Sequence, residues 1–388
     1  MDFELTEEQL LVRQTATAFV EKEVKPVASH MDREAAYPAE LVRRLGELGF
    51  LGMLVPAEFG GSGLDLASYV VALEEISKAW ASLSVIMSVQ NSLVCAPLLR
   101  FGTPAQKEKY LALLARGQKL GCYALTESGA GSDAGAIQTR ATRSGSDYVL
   151  NGQKIFTTNG SRAELALVYA VTDPSQGKKG ITAFLVDNNL PGFAVGRLED
   201  KLGLRSSDTA SLTFTDCHVP KANRLGAEGE GFRIALSTLD GGRIGIAAQA
   251  LGIAQGCLDE ALVYAKERKQ FGQPIATFQA IQWMLADMAT EIEAARLLIY
   301  RGACLAQAGN KVTREAAMAK LFASEAANRI AYKAIQIFGG YGYTKQYPVE
   351  RFFRDARITT LYEGTSEIQR LVIARSLVHG EEIDHELH

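Results

Sequence analysis

The hydrophobic period of this chain changes twice, and that double change constrains the fold more than any single residue does. Up to about residue 120 apolar residues recur at helical spacing: Leu10, Leu11, Ala18 and Phe19, then Leu41, Leu45 and Leu48. From about 121 to 226 the pattern becomes short runs at 165–172, 181–186 and 210–215, rich in β-branched and aromatic residues and bounded by Gly, Asn, Asp or Pro. In the last run Leu212 and Phe214 alternate with Ser211, Thr213 and Thr215. From about 231 to 378 helical spacing returns in long stretches at 246–267, 277–307 and 313–338, with Leu285, Met288, Ile292 and Ala295 as one apolar stripe. Strands do not alternate with helices, which excludes a Rossmann unit. The expected fold class is α+β, mainly α: an N-terminal helical domain over 1–120, a middle antiparallel β domain over 121–230, and a C-terminal four-helix bundle domain over 231–388.

Composition removes several function classes. With 388 residues, 47% hydrophobic and 22% charged, the chain has the make-up of a globular protein with a sizeable core. The net charge of −3 offers no basic excess for nucleic acid. No apolar run approaches the ~20 residues that cross a bilayer, so membrane insertion is not expected. The start, Met1-Asp2-Phe3-Glu4-Leu5, is acidic and opens an amphipathic pattern, unlike a signal or transit peptide. The expected location is the cytoplasm, or the mitochondrial matrix if a transit peptide has been removed. Cys95, Cys122, Cys217, Cys257 and Cys304 are widely spaced with no Cys-x-x-Cys pair, which reads as reduced, mostly buried thiols. Of five histidines, three fall in the last ten residues, and His385-Glu386-Leu387-His388 is one residue short of placing both rings on one helix face. No metal site is expected, and without a Gly-x-Ser-x-Gly elbow neither is a serine hydrolase.

Six segments remain that could carry chemistry. Tyr123-Ala124-Leu125-Thr126-Glu127-Ser128-Gly129-Ala130-Gly131-Ser132-Asp133 offers close backbone approach and hydroxyl donors, or merely a glycine-rich turn between strands. Lys154-Ile155-Phe156-Thr157-Thr158-Asn159-Gly160 could stack and hydrogen-bond a flat heterocycle, or be a strand ending in a turn. Asp240-Gly241-Gly242-Arg243 puts two glycines inside a helical pattern at a cost of roughly 1 kcal/mol each, which close packing or a ligand must offset. Arg268-Lys269-Gln270-Phe271-Gly272, with Gln279, is a basic helix end that could grip a phosphate. Gln336-Ile337-Phe338-Gly339-Gly340 is a helix stop whose glycines also permit backbone contact with a ligand. Tyr362-Glu363-Gly364-Thr365-Ser366-Glu367-Ile368-Gln369-Arg370 holds a carboxylate on a turn, where it can be aimed, although Glu363 is one of 44 acidic residues. Together they suggest a large cofactor held by backbone and hydroxyls beside one carboxylate base.

In this order, the segments resemble the acyl-CoA dehydrogenase family over about residues 5–377, with Asp200-Lys201-Leu202-Gly203 as a further match and 238–255 closest to the short-chain, butyryl-CoA branch. The resemblance implies non-covalent FAD and a homotetramer. It places Tyr123, Ala124, Leu125, Thr126, Gly131, Ser132, Phe156, Thr157 and Thr158 at the flavin. It assigns Arg268, Phe271, Gln279, Gln336, Ile337, Gly339 and Gly340 to the FAD of a neighbouring subunit, and Thr365, Ser366 and Glu367 to closure over the cofactor. Ser132, Asp240, Arg243 and Gly364 would lie near the acyl-CoA substrate, and Glu363 matches the catalytic base. The implied reaction is α,β-dehydrogenation of a short- to medium-chain acyl-CoA to a trans-2-enoyl-CoA in fatty acid β-oxidation, with electrons passed to an electron-transfer flavoprotein. Some relatives carry the base immediately before the arginine that matches Arg243; Gly242 cannot serve there. Two departures stand out: Ser128 replaces a usual proline, which should loosen the turn, and Phe156 replaces a frequent tryptophan.

Alternatives are a branched-chain acyl-CoA dehydrogenase and an acyl-CoA oxidase, the latter typically much longer. A nitroalkane-oxidising relative would carry aspartate as base, and a glutaryl-CoA-type enzyme would want an arginine that the 87–92 segment lacks. Outside enzymes, the rival is a silent acyl-CoA- or flavin-binding scaffold, which the presence of Glu363 and of every flavin segment argues against.

Overall fold

Capping chemistry starts the helices of the N-terminal part. The computed structural model describes residues 4–379; the His385 and His388 pair lies outside the described residues. Thr6 and Gln9 close a capping box at the start of α1 (Glu7–Phe19), which is followed by α2 (Lys25–Glu34) and α3 (Ala39–Glu47). Asp65 caps α4 (Leu66–Ala79) and also accepts from Gln9, tying α4 to α1. Next come α5 (Ala81–Ser88), a π-helical stretch at Val89–Cys95, α6 (Ala96–Phe101) and α7 (Pro104–Ala115). As the Thr103-Pro104 signal predicts, α7 opens on a second capping box, with Gln106.

One expectation needs correcting. Ala81–Phe101 is a continuous helical run of 21 residues with a mean hydropathy of 1.5, long and apolar enough for a bilayer, but 89% of that window is buried inside the fold. It is a core helix, and its π-helical section occurs where it lines the site described below.

The middle part is an eight-stranded sheet in the order β6-β7-β3-β2-β4-β5-β8, with β1 beside β4. The strands are β1 (Gly121–Ala124), β2 (Arg140–Ser144), β3 (Asp147–Thr158), β4 (Leu165–Val171), β5 (Ile181–Asp187), β6 (Phe193–Leu198), β7 (Thr209–Val219) and β8 (Arg224–Leu225). Its pairing is not purely antiparallel: β1 runs parallel to β4, as does the single β2–β4 pair Arg140–Val171. The chain leaves β1, makes the long loop 125–139 and the β2–β3 hairpin, and only then returns as β4, a crossover long enough for parallel pairing. One sheet face encloses its own core around Leu150, Phe184 and Phe214, and the other joins the main core through Leu165, Leu167 and Tyr169.

The C-terminal part holds α8 (Gly231–Glu267), a two-stranded ribbon of β9 (Lys269–Gln270) and β10 (Gln273–Pro274), then α9 (Gln279–Gln307), α10 (Thr313–Phe338), α11 (Val349–Ile358) and α12 (Ser366–His379). Helices α8, α9 and α10 pack on one another and α12 packs on α10. The predicted α9 stripe is buried at Met288, Ile292 and Ala295, with Leu285 at its margin.

All three parts meet at one joint. Arg354 on α11 donates to Asp32 on α2 (2.7 Å) and to the Leu202 carbonyl (3.2 Å). Its neighbour Asp355 accepts from the Leu204 N–H (2.7 Å), and Leu204 is held at φ +48°. Gly203 lies so close that a Cβ there would meet the Arg354 carbonyl carbon at 2.6 Å.

Candidate functional site

A cavity of about 500 Å³ opens where these three parts converge. Val85, Val89 and Leu93 from α5 and the π segment form one apolar wall, and Phe232, Leu236 and Leu239 from the start of α8 form another. Tyr123, Leu125 and Thr126 line it from the end of β1, and Tyr362, Glu363 and Gly364 from the turn before α12. It is therefore a mostly apolar slot with a few convergent polar groups, the usual form of a small-molecule site.

Glu363 is the most perturbed acid facing this slot. It sits at φ +52° and Gly364 at φ +94°, so two consecutive residues are left-handed. That backbone needs support, and Gln369 Nε2 supplies it by donating to the carbonyls of Glu363 (3.2 Å) and Gly364 (2.9 Å). Lys320 Nζ donates to the same Gly364 carbonyl at 2.6 Å. On the other side the Tyr362 hydroxyl donates to Gln249, which is anchored on Ala81 and Ser84 of α5. The Glu363 Oε2 atom is buried and has no hydrogen-bond partner. Burial pushes the carboxyl up to about 7, against the opposing pull of Lys320 and Arg243. A carboxyl titrating there is matched to proton transfer near neutral pH.

The mid-helix glycines now have a reason. A Cβ on Gly242 would collide with the Glu363 carboxyl, lying 2.9 Å from Cδ and closer still to Oε2, and 3.1 Å from Leu93 Cδ2. Gly242 is thus the floor on which the carboxylate rests. Gly241 faces open space, and nothing within 4 Å explains it. Arg243 lines the cavity and pairs with Asp240 at 2.9 Å, while Asp240 also accepts from Thr313 at 2.7 Å.

On the β side, Thr126, Gly131, Ser132, Phe156 and Thr158 all face the cavity. Between Lys154 and Thr157 the β3–β7 register slips by a β-bulge. It holds Phe156 at φ +54° and 61% exposed, a flat face presented to the slot. Strand alternation turns Thr157 inward, and Ala124 packs in the sheet's own core, so a ligand can reach these two only through their backbone. The turn after β1 closes around Ser128. Glu127 and Ala130 exchange both backbone hydrogen bonds at 3.1 Å. The Glu127 carboxylate accepts from the N–H groups of Gln138 (2.6 Å) and Thr139 (3.0 Å) and pairs with fully buried Lys154 at 2.7 Å. Ile155 N–H donates to the Thr126 carbonyl, joining the two predicted ligand loops directly.

The residues present fit a flavin in kind: an exposed aromatic face, hydroxyls at Thr126 and Thr158, glycine at 131 with nothing within 4 Å of a Cβ, and an unpartnered acid opposite. The remaining predicted residues lie elsewhere. Thr365, Ser366 and Glu367 form the start of α12, where the Thr365 hydroxyl accepts from Ile368 N–H at 3.4 Å. Arg268, Phe271, Gln279, Gln336, Ile337, Gly339 and Gly340 gather at one end of the bundle, away from this cavity. There Arg268 lies 5.6 Å over the Tyr341 ring and Phe271 is 92% exposed.

Lys320 and Gln249 escaped the sequence reading, and Gln369 and the Glu127–Lys154 pair lay within its segments without a role. For Lys320 a signal existed. It occupies a position on the otherwise apolar stripe Ala316, Ala323, Ala327 of α10, where a cation is out of place.

Comparison with known proteins converges on one family. Three family models match in succession: "Acyl-CoA dehydrogenase, N-terminal domain" over 6–118, "Acyl-CoA dehydrogenase, middle domain" over 122–217, and "Acyl-CoA dehydrogenase, C-terminal domain" over 229–378. The chain is similar to the short-chain specific acyl-CoA dehydrogenase of Clostridium acetobutylicum, 52% identical over 374 residues, covering 96% of this chain and 99% of that protein. It is similar to the solved butyryl-CoA dehydrogenase of Megasphaera elsdenii with a TM-score of 0.96 and 48% identity, over 97% of this chain and 100% of that one. A chain from the structure reported as "Electron transferring flavoprotein of Acidaminococcus fermentans: Towards a mechanism of flavin-based electron bifurcation" matches with a TM-score of 0.97 and 51% identity, over 97% of this chain and 100% of its own.

Proposed function

This chain belongs to the acyl-CoA dehydrogenase family, and on that premise we propose that it oxidises a short- to medium-chain acyl-CoA to the trans-2-enoyl-CoA with Glu363 as the base. The observation that carries the reading is the Glu363 carboxyl, buried at the slot, raised to about 7 and left without a partner on Oε2. An alkyl chain has one acidic position, alpha to the thioester carbonyl, and its proton needs a base of matched affinity in a dry place. Glu363 supplies the base. Val89, Leu93, Leu236 and Leu239 exclude water and hold the acyl chain. As the proton leaves, charge develops on the thioester oxygen, and the Glu363 backbone N–H, which donates to no acceptor among the described residues, is the chain's own donor for it.

FAD is the cofactor of this reading; when bound it accepts the beta hydrogen as hydride. Tyr123 to Thr126, Gly131, Ser132, Phe156 and Thr158 would hold it from the same chain. Arg268, Phe271, Gln279 and Gln336 to Gly340 would reach the FAD of a neighbour in a homotetramer, and their gathering at one bundle end supports that division. Ser132, Arg243 and Gly364 at the slot would meet the acyl-CoA, with Asp240 acting through Arg243. An electron-transfer flavoprotein is the proposed acceptor, supported by the likeness to the Acidaminococcus fermentans chain. Domain limits of 1–120, 121–230 and 231–388, and a location in the bacterial cytoplasm or mitochondrial matrix, belong to the same proposal.

The test is colour. Purified protein should be yellow and bleach anaerobically with butyryl-CoA, and a panel from butyryl- to palmitoyl-CoA should show a preference for the shorter chains. A yellow protein that no acyl-CoA bleaches, or a Glu363→Gln variant that bleaches at the wild-type rate, would overturn the reading.

A further inference from the structure

We propose that Lys320 is a positioning residue for Glu363: its ammonium latches the Gly364 carbonyl and so holds the left-handed turn that aims the carboxylate. The inference rests on Glu363 being the base. Three observations carry it. Lys320 is 0% exposed in the first half of α10, and its one hydrogen bond among the described residues is the 2.6 Å contact to Gly364. No carboxylate lies within ion-pairing distance of Nζ among the described residues, so this cation is buried without a salt bridge. A buried charge without a counter-ion costs stability, so its place here calls for a role that a methionine could not fill. And the carbonyl it grips belongs to the second of two consecutive left-handed residues, at φ +52° and +94°.

The geometry explains why one amide would not suffice. Gln369 Nε2 donates to both carbonyls of the turn, so it fixes the turn's plane from the α12 side. Lys320 grips Gly364 from α10, and the two donors use both lone pairs of that oxygen. The turn is thereby pinned between two helices, and the Glu363 side chain is left pointing onto Gly242.

The charge has a second effect. Groups facing Lys320 are Glu363 on the turn, Arg243 on α8, Glu367 on α12 and Glu325 on its own helix. Burial lowers the Lys320 ammonium to about 8, with Glu363 the foremost group working to keep it charged. Reciprocally, the ammonium favours the ionised form of Glu363, so the base titrates lower than burial alone would leave it.

Two substitutions in the FAD-loaded protein separate latch from charge. Lys320→Gln keeps a donor and removes the charge; Lys320→Met removes both. With butyryl-CoA and an artificial electron acceptor, Lys320→Met should lose about 100-fold in kcat with KM little changed, as expected for a base misplaced by roughly 1 Å. Lys320→Gln should recover most of kcat, yet its kcat/KM profile should rise at a pH about one unit above the wild type. Should Lys320→Met fail to fold, Lys320→Ser, too short to reach the Gly364 carbonyl, takes its place in the same kcat comparison. Equal kcat in all three proteins would overturn the inference, and a Lys320→Gln profile superimposable on the wild type would overturn the charge effect. Glu363→Gln is assayed alongside: if it stays active, the base assignment has failed, whereas if it is dead while the Lys320 variants behave as wild type, only this inference has.

Discussion

Replacing Gly242 with alanine should produce an enzyme that is more stable and much slower. Alanine is favoured over glycine inside a helix by about 1 kcal/mol, and Gly242 lies within the 37-residue α8. The new Cβ would stand 2.9 Å from Glu363 Cδ, and ordinary contact begins at 3.4 Å. The carboxyl, the mobile end of its side chain, must retreat by about half an ångström at Cδ and more at the oxygen, about 1 Å in all; a shift of that size costs about 100-fold in rate, or about 2.7 kcal/mol of barrier. The control is Gly302→Ala in α9, where a Cβ meets only Ile244 at 3.8 Å. It should raise the melting temperature without touching kcat. Thermal unfolding and steady-state turnover with butyryl-CoA read both quantities. A Gly242→Ala enzyme with wild-type kcat would refute the idea that this glycine is the seat of the carboxylate.

Glu363→Gln should lower butyryl-CoA turnover by about 10²–10⁴-fold. It should also change stability in a pH-dependent way. The folded carboxyl titrates at about 7 and the ordinary value is 4.5, so the folded chain keeps a proton that the unfolded chain gives up. Stability therefore falls as pH rises through that window. The variant escapes this loss: its melting temperature should match the wild type at pH 4 and exceed it at pH 8 by the equivalent of up to about 3 kcal/mol. A stability difference that is constant with pH would contradict the assignment. Lys154→Met should destabilise by about 3–5 kcal/mol, because it strands the Glu127 carboxylate in the interior, and should raise the Kd for FAD in a titration of apoprotein by loosening the turn after β1.

Helices were the most legible part of the sequence because their signals are local. Thr103-Pro104, the α9 stripe and the glycines after Phe338 each act within one or two turns. The sheet was harder. β3 carries Asn151, Gly152 and Gln153 in its middle and lacks a clean alternation, and its partner β7 lies some sixty residues away in sequence. The parallel β1–β4 pair depends on a crossover that no short window contains. At the site, Glu363 and the glycine-rich loops were visible as residue types, but their common address was not. Gly242 could be read as packing or ligand contact from sequence; only the fold brings it under residue 363. Phe156 owes its exposure to a bulge, which is a property of pairing, not composition.

The joint at Arg354 and Asp355 has a consequence for how substrate gets in. It fastens Asp32 from the first part and Leu202 and Leu204 from the second to a helix of the third, and one apolar core runs through all of them. These fastenings oppose a swing of the three parts about one another. The mouth of the slot is lined by side chains and by the turn that bears Glu363. The walls of the slot are thus held by the same contacts that hold the fold together.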